Sequence, residues 1–190
     1  MEKLLRAGIN IATSASFMCS ALCFFEVSMK PQLKEKSEMD DVWFDDLVDA
    51  IGQFQCENYF SDHIGMRQQE QKAVVNRFQN DLVSKLNECN LGVNWRQEYM
   101  PSRGQRDSID IYADGGDFAV AIELDKNRAD QVAKKFVSRF ALMPSKKVYF
   151  ISLCYPGTDR MNINECVKYF QYCANLAKRM GGVYAGFIVQ

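Results

Sequence analysis

The sequence predicts a mixed α/β fold, a central sheet flanked by helices, and three observations carry that prediction. Two alternating runs on either side of Gly115-Gly116 read as a β-hairpin. Lys147 to Leu153, KVYFISL, is apolar with little alternation, the pattern of a strand buried on both faces. Stretches with apolar residues at steps of three and four precede the hairpin and separate the later strands, so helices and strands interleave.

Composition sets the outer bounds. A chain of 190 residues suits one domain, or one domain with an appendage. With 47% hydrophobic residues and only 4 Pro it can bury a core and does not resemble a disordered chain. The formal net charge is −1 and the pI about 5.9, so no global basic field points to nucleic acid, and such a partner needs a local patch. Seven cysteines without metal-like spacing read as reduced core thiols of a cytoplasmic protein. The single histidine, His63, excludes His-rich metal sites and paired histidine acid–base chemistry, and reads as a surface or cap residue.

The elements follow in order. Ala7 to Phe25 carries no charge and follows Lys3 and Arg6, so a signal peptide or marginal membrane span has to be weighed. Five Asn, Ser and Thr residues inside it and the absence of a clean cleavage site argue against both, and no membrane association is expected. A docked helix is one alternative. A translation start at Met29 is another, prompted by the abrupt change to the polar text PQLKEKSEMDD, and intact mass would decide. Pro31 to Met39 reads as a linker. Asp41 caps a helix to about Gln55 with Trp43, Leu47, Val48, Ile51 and Phe54 on one face. Residues 1–60 are therefore expected as an N-terminal helical extension, and 61–190 as the α/β domain.

A long helix from about His63 or Gly65 to Cys89 carries Val74, Phe78, Leu82 and Leu86 as its buried stripe. Glu70, one step of four before Val74, falls on that inward side, where a carboxylate needs a partner or a metal; an exposed glutamate at the helix edge is the other reading. Val93 to Met100 reads as a strand, and Pro101 to Gly104 as a turn into the hairpin. After the hairpin, Asn127 is a candidate cap for a helix to about Leu142 that buries Ala129, Val132, Ala133, Phe136, Val137 and Phe140. The strand at Lys147 should run parallel to Phe118–Asp125 through a right-handed crossover. A further helix, about Asn162 to Met180, and a strand, Val183 to Val189, end the chain.

Chemistry concentrates in the hairpin. If Asp114 faces Asp117 across a two-residue turn, residue 113 pairs with 118 and 110 with 121. Strand side chains repeat every two residues, so Asp110, Glu123 and Asp125 share one face. Asp110 and Glu123 are then diagonal neighbours roughly 7–8 Å apart at the backbone, with tips close enough to share one hard divalent cation. The other face is almost purely apolar.

The order α-β-β-β-α-β, with Asp on the second strand and Glu-x-acid on the third, resembles the PD-(D/E)XK nuclease superfamily over roughly residues 65–190. The resemblance implies a restriction-endonuclease-like αβββαβ core and metal-dependent phosphodiester hydrolysis, with DNA as the expected substrate. It implies that Asp110, Glu123 and Asp125 hold Mg²⁺ (or Mn²⁺), with the carbonyl of Leu124 a further candidate donor. Ile109 stands where the family carries Pro, and Asp125 where it usually carries Lys. Lys126 is adjacent but points to the opposite face unless the strand ends there; Lys134, Lys135 or Arg128 can supply the cation from the following helix. Glu70 and Gln131 correspond loosely to acidic and amide residues that some members use. Arg96, Arg103, Arg106, Lys126, Arg128, Lys134, Lys135 and Arg139 would grip the substrate. Between Val93 and Lys147 ten Lys/Arg face eight Asp/Glu, of which three are the proposed ligands. Nucleic acid is the implied partner, with a homodimer left open. Asp125 motivates the alternative, a non-catalytic member of the same fold that binds nucleic acid or protein.

Overall fold

The computed structural model describes residues 28–101, 107–126, 128–157 and 162–190. Expectations for residues 1–27, and those placed on Arg103, Arg106 and Asn127, lie outside the described residues. The elements are β1 (Pro31–Lys36), α1 (Val42–Gly52), α2 (Glu57–Phe60), α3 (Gln68–Glu88), β2 (Asn94–Tyr99), β3 (Ile109–Asp114), β4 (Phe118–Asp125), α4 (Ala129–Phe140), β5 (Lys147–Cys154), α5 (Ile163–Arg179) and β6 (Val183–Val189). They form a six-stranded mixed sheet in the order β1-β6-β5-β4-β3-β2. β2, β3 and β4 are an antiparallel meander, and β4, β5 and β6 run parallel through α4 and α5.

Alternation along the strands distributes the core between two layers. Val120, Ile122 and Leu124 of β4 point to a cluster shared with α1, α2 and α3. Ala119 and Ala121 point to the cluster under α4 and α5. Glu123 and Asp125 continue that second parity, so the acidic cluster lies beneath α4. Small Ala119 and Ala121 let Phe136 pack close to the sheet, where its ring meets Phe150 edge-on at 4.9 Å between centroids. Val137, expected inside, is 55% exposed, because the buried stripe of α4 is Ala129, Val132, Phe136 and Phe140.

Residues 31–36 are a strand where a linker was expected. β1 pairs antiparallel with β6 from Pro31↔Val189 to Lys36↔Ala185, and α1 shares the main core. This part of the chain therefore belongs to the same sheet as the rest, and not to a helical extension. Nothing local announces the strand: Pro31 is tolerated because it opens an edge strand, and the partner lies some 150 residues away in sequence, a separation on the order of the chain itself.

Asp41 caps α1 as expected, and it does more. Its carboxylate accepts from the Phe44 backbone N–H at 3.1 Å, from Lys147 Nζ at 2.8 Å and from the Tyr149 hydroxyl. Partial burial favours the protonated form, but these donors outweigh it and hold the carboxyl below its ordinary 3.8. A depressed acid stabilises the fold above its unfolded pKa, and that contribution disappears as pH falls through the lower folded value. Asp41→Ala should cost about 1–3 kcal/mol at neutral pH. Thermal melts should show the gap to wild type closing below about pH 4; an unchanged gap at pH 3 would contradict this account.

Candidate active site

The hairpin turn sets the register of the acidic residues. Asp114 Oδ1 accepts from the Gly116 N–H at 2.9 Å, Gly116 takes φ +83°, and Gly115 N–H donates to the Phe118 carbonyl at 3.0 Å. The loop therefore closes from Asp114↔Ala119, and the pairing runs on to Ile111↔Ile122 toward the site. This is two residues from the pairing expected for a two-residue turn. An even slip preserves the faces, and one further step brings Asp110 opposite Glu123 rather than diagonal to it.

The two carboxylates meet under α4. Lys135 Nζ lies 3.1 Å from Asp110 Oδ2 and 3.1 Å from Glu123 Oε2, and donates to the Leu124 carbonyl at 2.6 Å. Asp110 Oδ2 also accepts from the Leu124 N–H at 2.7 Å, which locks its rotamer across the strand pair. Arg139, one turn after Lys135, places Nε 3.4 Å from Glu123 Oε1 and Nη1 3.0 Å from Asp107 Oδ1. Neither cation is well aligned with Glu123, whose two buried oxygens lack a good hydrogen bond. Asp125 follows on the same face: Oδ1 accepts from the Lys126 N–H at 2.7 Å, while Oδ2 is buried without a partner.

The charge balance is uneven. Asp110, Glu123 and Asp125 set three carboxylates against Lys135 and Arg139, and Arg139 is shared with Asp107. Burial, at 2% exposure for Glu123 and 8% for Asp125, penalises the surplus negative charge. Desolvation first, and Asp110 second, push the Glu123 carboxyl up to about 8. Desolvation raises Asp125 to about 6. Burial alone would lower the Lys135 ammonium pKa, but Asp110, Glu123 and Asp125 overcome it and raise the value. The cluster is short of positive charge.

Beside the cluster is a cleft of about 290 Å³, lined by Leu124, Asp125, Lys126, Arg128, Gln131, Lys135 and Tyr155. It lies at the carboxyl ends of the parallel strands β4 and β5, where open α/β sheets bind ligands. Tyr155 N–H donates to the Asp125 carbonyl at 2.8 Å, and its ring stacks on Phe60 at 4.9 Å.

Some expected residues lie elsewhere. Glu70 is exposed at the start of α3, where its carboxylate closes a capping box with the Arg67 N–H and guanidinium; a first-turn carboxylate is held by that cap and not turned inward. Lys126 follows the last residue of β4 and turns to α3, donating to Gln71 Oε1 at 2.9 Å, as alternation predicts. Gln131 lines the cleft and bonds to Asp130. Arg128 and Lys134 are exposed, whereas Arg139, 13% exposed, is a carboxylate partner. His63 is fully buried between Phe60 and Tyr155 with both ring nitrogens unpartnered, not on the surface, and burial lowers its pKa.

Comparison with protein-family models, with curated proteins and with solved structures finds no match for this chain. The site therefore has to be read from its own chemistry. Among the described residues no three Asp, Glu, His or Cys side chains form a set that could hold a metal ion, so Asp110, Glu123 and Asp125 do not converge as a triad. The convergent donors are two carboxylates and a carbonyl. All are hard oxygens, suited to Mg²⁺ or Mn²⁺, and the orphaned Asp125 oxygen and the surplus negative charge fit a further cation. Among the described residues no helix is long and apolar enough to cross a membrane, and the five described cysteines are free thiols. Arg139, Asp107 and Tyr155 were not singled out as members of the acidic cluster; Gln131, Lys135 and Arg139 share one face of α4 at steps of four, a signal present in the sequence.

Proposed function

We propose that the protein is a metal-dependent nuclease, acting on DNA, whose cation is held by Asp110, Glu123 and the Leu124 carbonyl. The observation that carries this reading is the Lys135 ammonium lying within 3.1 Å of oxygens from all three, a point that holds a cation beside the cleft lined by Lys135 and Leu124. A divalent cation there supplies a Lewis acid that polarises a phosphoryl oxygen and offsets developing negative charge. The chain's own residues bind and orient. Asp110 is fixed by the Leu124 N–H, Glu123 is set by the sheet and by Arg139, and Lys135 brings the positive charge that Asp125 does not. The element order α3-β2-β3-β4-α4-β5 supports a restriction-endonuclease-like core, as does the acid cluster on its second and third strands.

Arg128, exposed just before α4, and Lys134, exposed on it, extend a positive rim for the phosphate backbone. Lys134→Ala should weaken DNA binding similarly for all sequences and lower the slope of log K against log salt by about 1; an unchanged slope places the DNA elsewhere. The decisive assay is Mg²⁺- or Mn²⁺-dependent cleavage of plasmid, branched DNA and RNA, with Asp110→Asn as control. A second reading, a non-catalytic nucleic-acid- or protein-binding member of the same fold, is favoured by Lys135 and Arg139 already pairing with the carboxylates. Absence of both cleavage and Mn²⁺ binding would select it.

A further inference from the structure

Two observations at the cleft remain unexplained by a simple metal site. Lys135 Nζ occupies the point shared by Asp110 Oδ2, Glu123 Oε2 and the Leu124 carbonyl. An ammonium and a divalent cation cannot both sit there. At the next position of β4 on the same face, Asp125 keeps Oδ2 buried with no partner although Oδ1 is bonded. An orphaned buried carboxylate oxygen is costly, and Lys135 and Asp125 line the same cleft.

We propose that Lys135 has two stations. In the metal-free protein its ammonium closes the cation point; on loading it moves within the cleft to Asp125 Oδ2. Asp125 is then a positioning residue acting through Lys135, and not a ligand. This deepens the metal reading above and rests on it. It also gives a physical reason for an acid at position 125: the lysine comes from α4, and the aspartate receives it.

The test is calorimetric titration of the full chain with Mn²⁺ alone at neutral pH, on wild type, Lys135→Met, Asp125→Asn and the double variant. Lys135→Met should bind about tenfold more tightly, because no ammonium has to leave. Asp125→Asn should bind about tenfold more weakly in the wild-type background and change affinity by less than about twofold beside Lys135→Met, since the receiver matters only when the lysine is present. Equal losses in both backgrounds would make Asp125 a direct ligand and overturn the proposal, as would weaker binding by Lys135→Met. Lys135→Gln, which still donates to the buried carboxylates, substitutes if Lys135→Met does not fold. Mn²⁺ binding by none of the proteins would overturn the metal reading itself; binding by wild type without the coupling overturns only the two-station proposal.

Discussion

Asp110→Asn and Glu123→Gln should each lower Mg²⁺- or Mn²⁺-dependent DNA cleavage by about 1,000-fold or more, a loss of several kcal/mol of transition-state stabilisation. Both substitutions keep shape and remove charge, so folding is not the expected cause. Asp110 accepts the Leu124 N–H at 2.7 Å and would hold its position as an amide, because the amide oxygen still accepts. Supercoiled plasmid nicking, with circular dichroism to verify the fold, measures the effect. Retention of more than about a tenth of wild-type cleavage in both variants would remove these carboxylates from the reaction.

Glu123→Gln should have the opposite sign in stability. The folded-state carboxyl of Glu123 is raised from 4.5 to about 8 by burial and by Asp110, despite Lys135 and Arg139 beside it. Between these values the native state binds more protons than the unfolded chain, so wild-type stability falls as pH rises through the window. Asp125, raised from 3.8 to about 6, contributes in the same direction over the lower part of it. The Lys135 shift does not cancel this: a raised lysine stabilises the fold fully below 10.5 and loses that contribution only above it. In chelator, melting temperatures of wild type and Glu123→Gln should therefore diverge from pH 5 to pH 8, with the variant the more stable at the upper end, on the order of a few kcal/mol. Added Mn²⁺ should reverse the order, since only wild type offers the full oxygen set. Parallel melting curves across this range in chelator would show that Glu123 is compensated after all. The activity and stability of Glu123 thus pull apart, as expected where a buried charge is retained for a task.

Most of the sheet was legible because its signals are local. KVYFISL reads as a doubly buried strand without knowledge of its neighbours, and Lys147–Cys154 is one, parallel to β4. The α3 stripe Phe78, Leu82 and Leu86 is fully buried, as a step of four requires. Asp41 caps its helix as read, because a capping side chain bonds within three residues. β1 was not legible, since its partner among the described residues is β6 at the far end of the chain, and a short polar edge strand carries no periodicity of its own. His63 was misplaced for a related reason: Phe60 is close by in sequence, but Tyr155, which covers the other side of the ring, is far along the chain.

The acidic site divides along the same line. That Asp110, Glu123 and Asp125 share one side of two neighbouring strands follows from the residue order, because side-chain parity is a covalent property of an extended chain. So does the basic face on the next helix. It takes the packed fold to show that this face closes over the acids, that the loop slips the hairpin by two, and that Lys135 and Arg139 rather than Lys126 reach the carboxylates. Which side chains meet depends on how α4 crosses the sheet, and that angle comes from packing Phe136 and Phe140 against Ala119, Ala121 and Phe150, residues distant in sequence. Burial follows from the same packing, and it is burial that turns an acidic hairpin into a cluster short of positive charge.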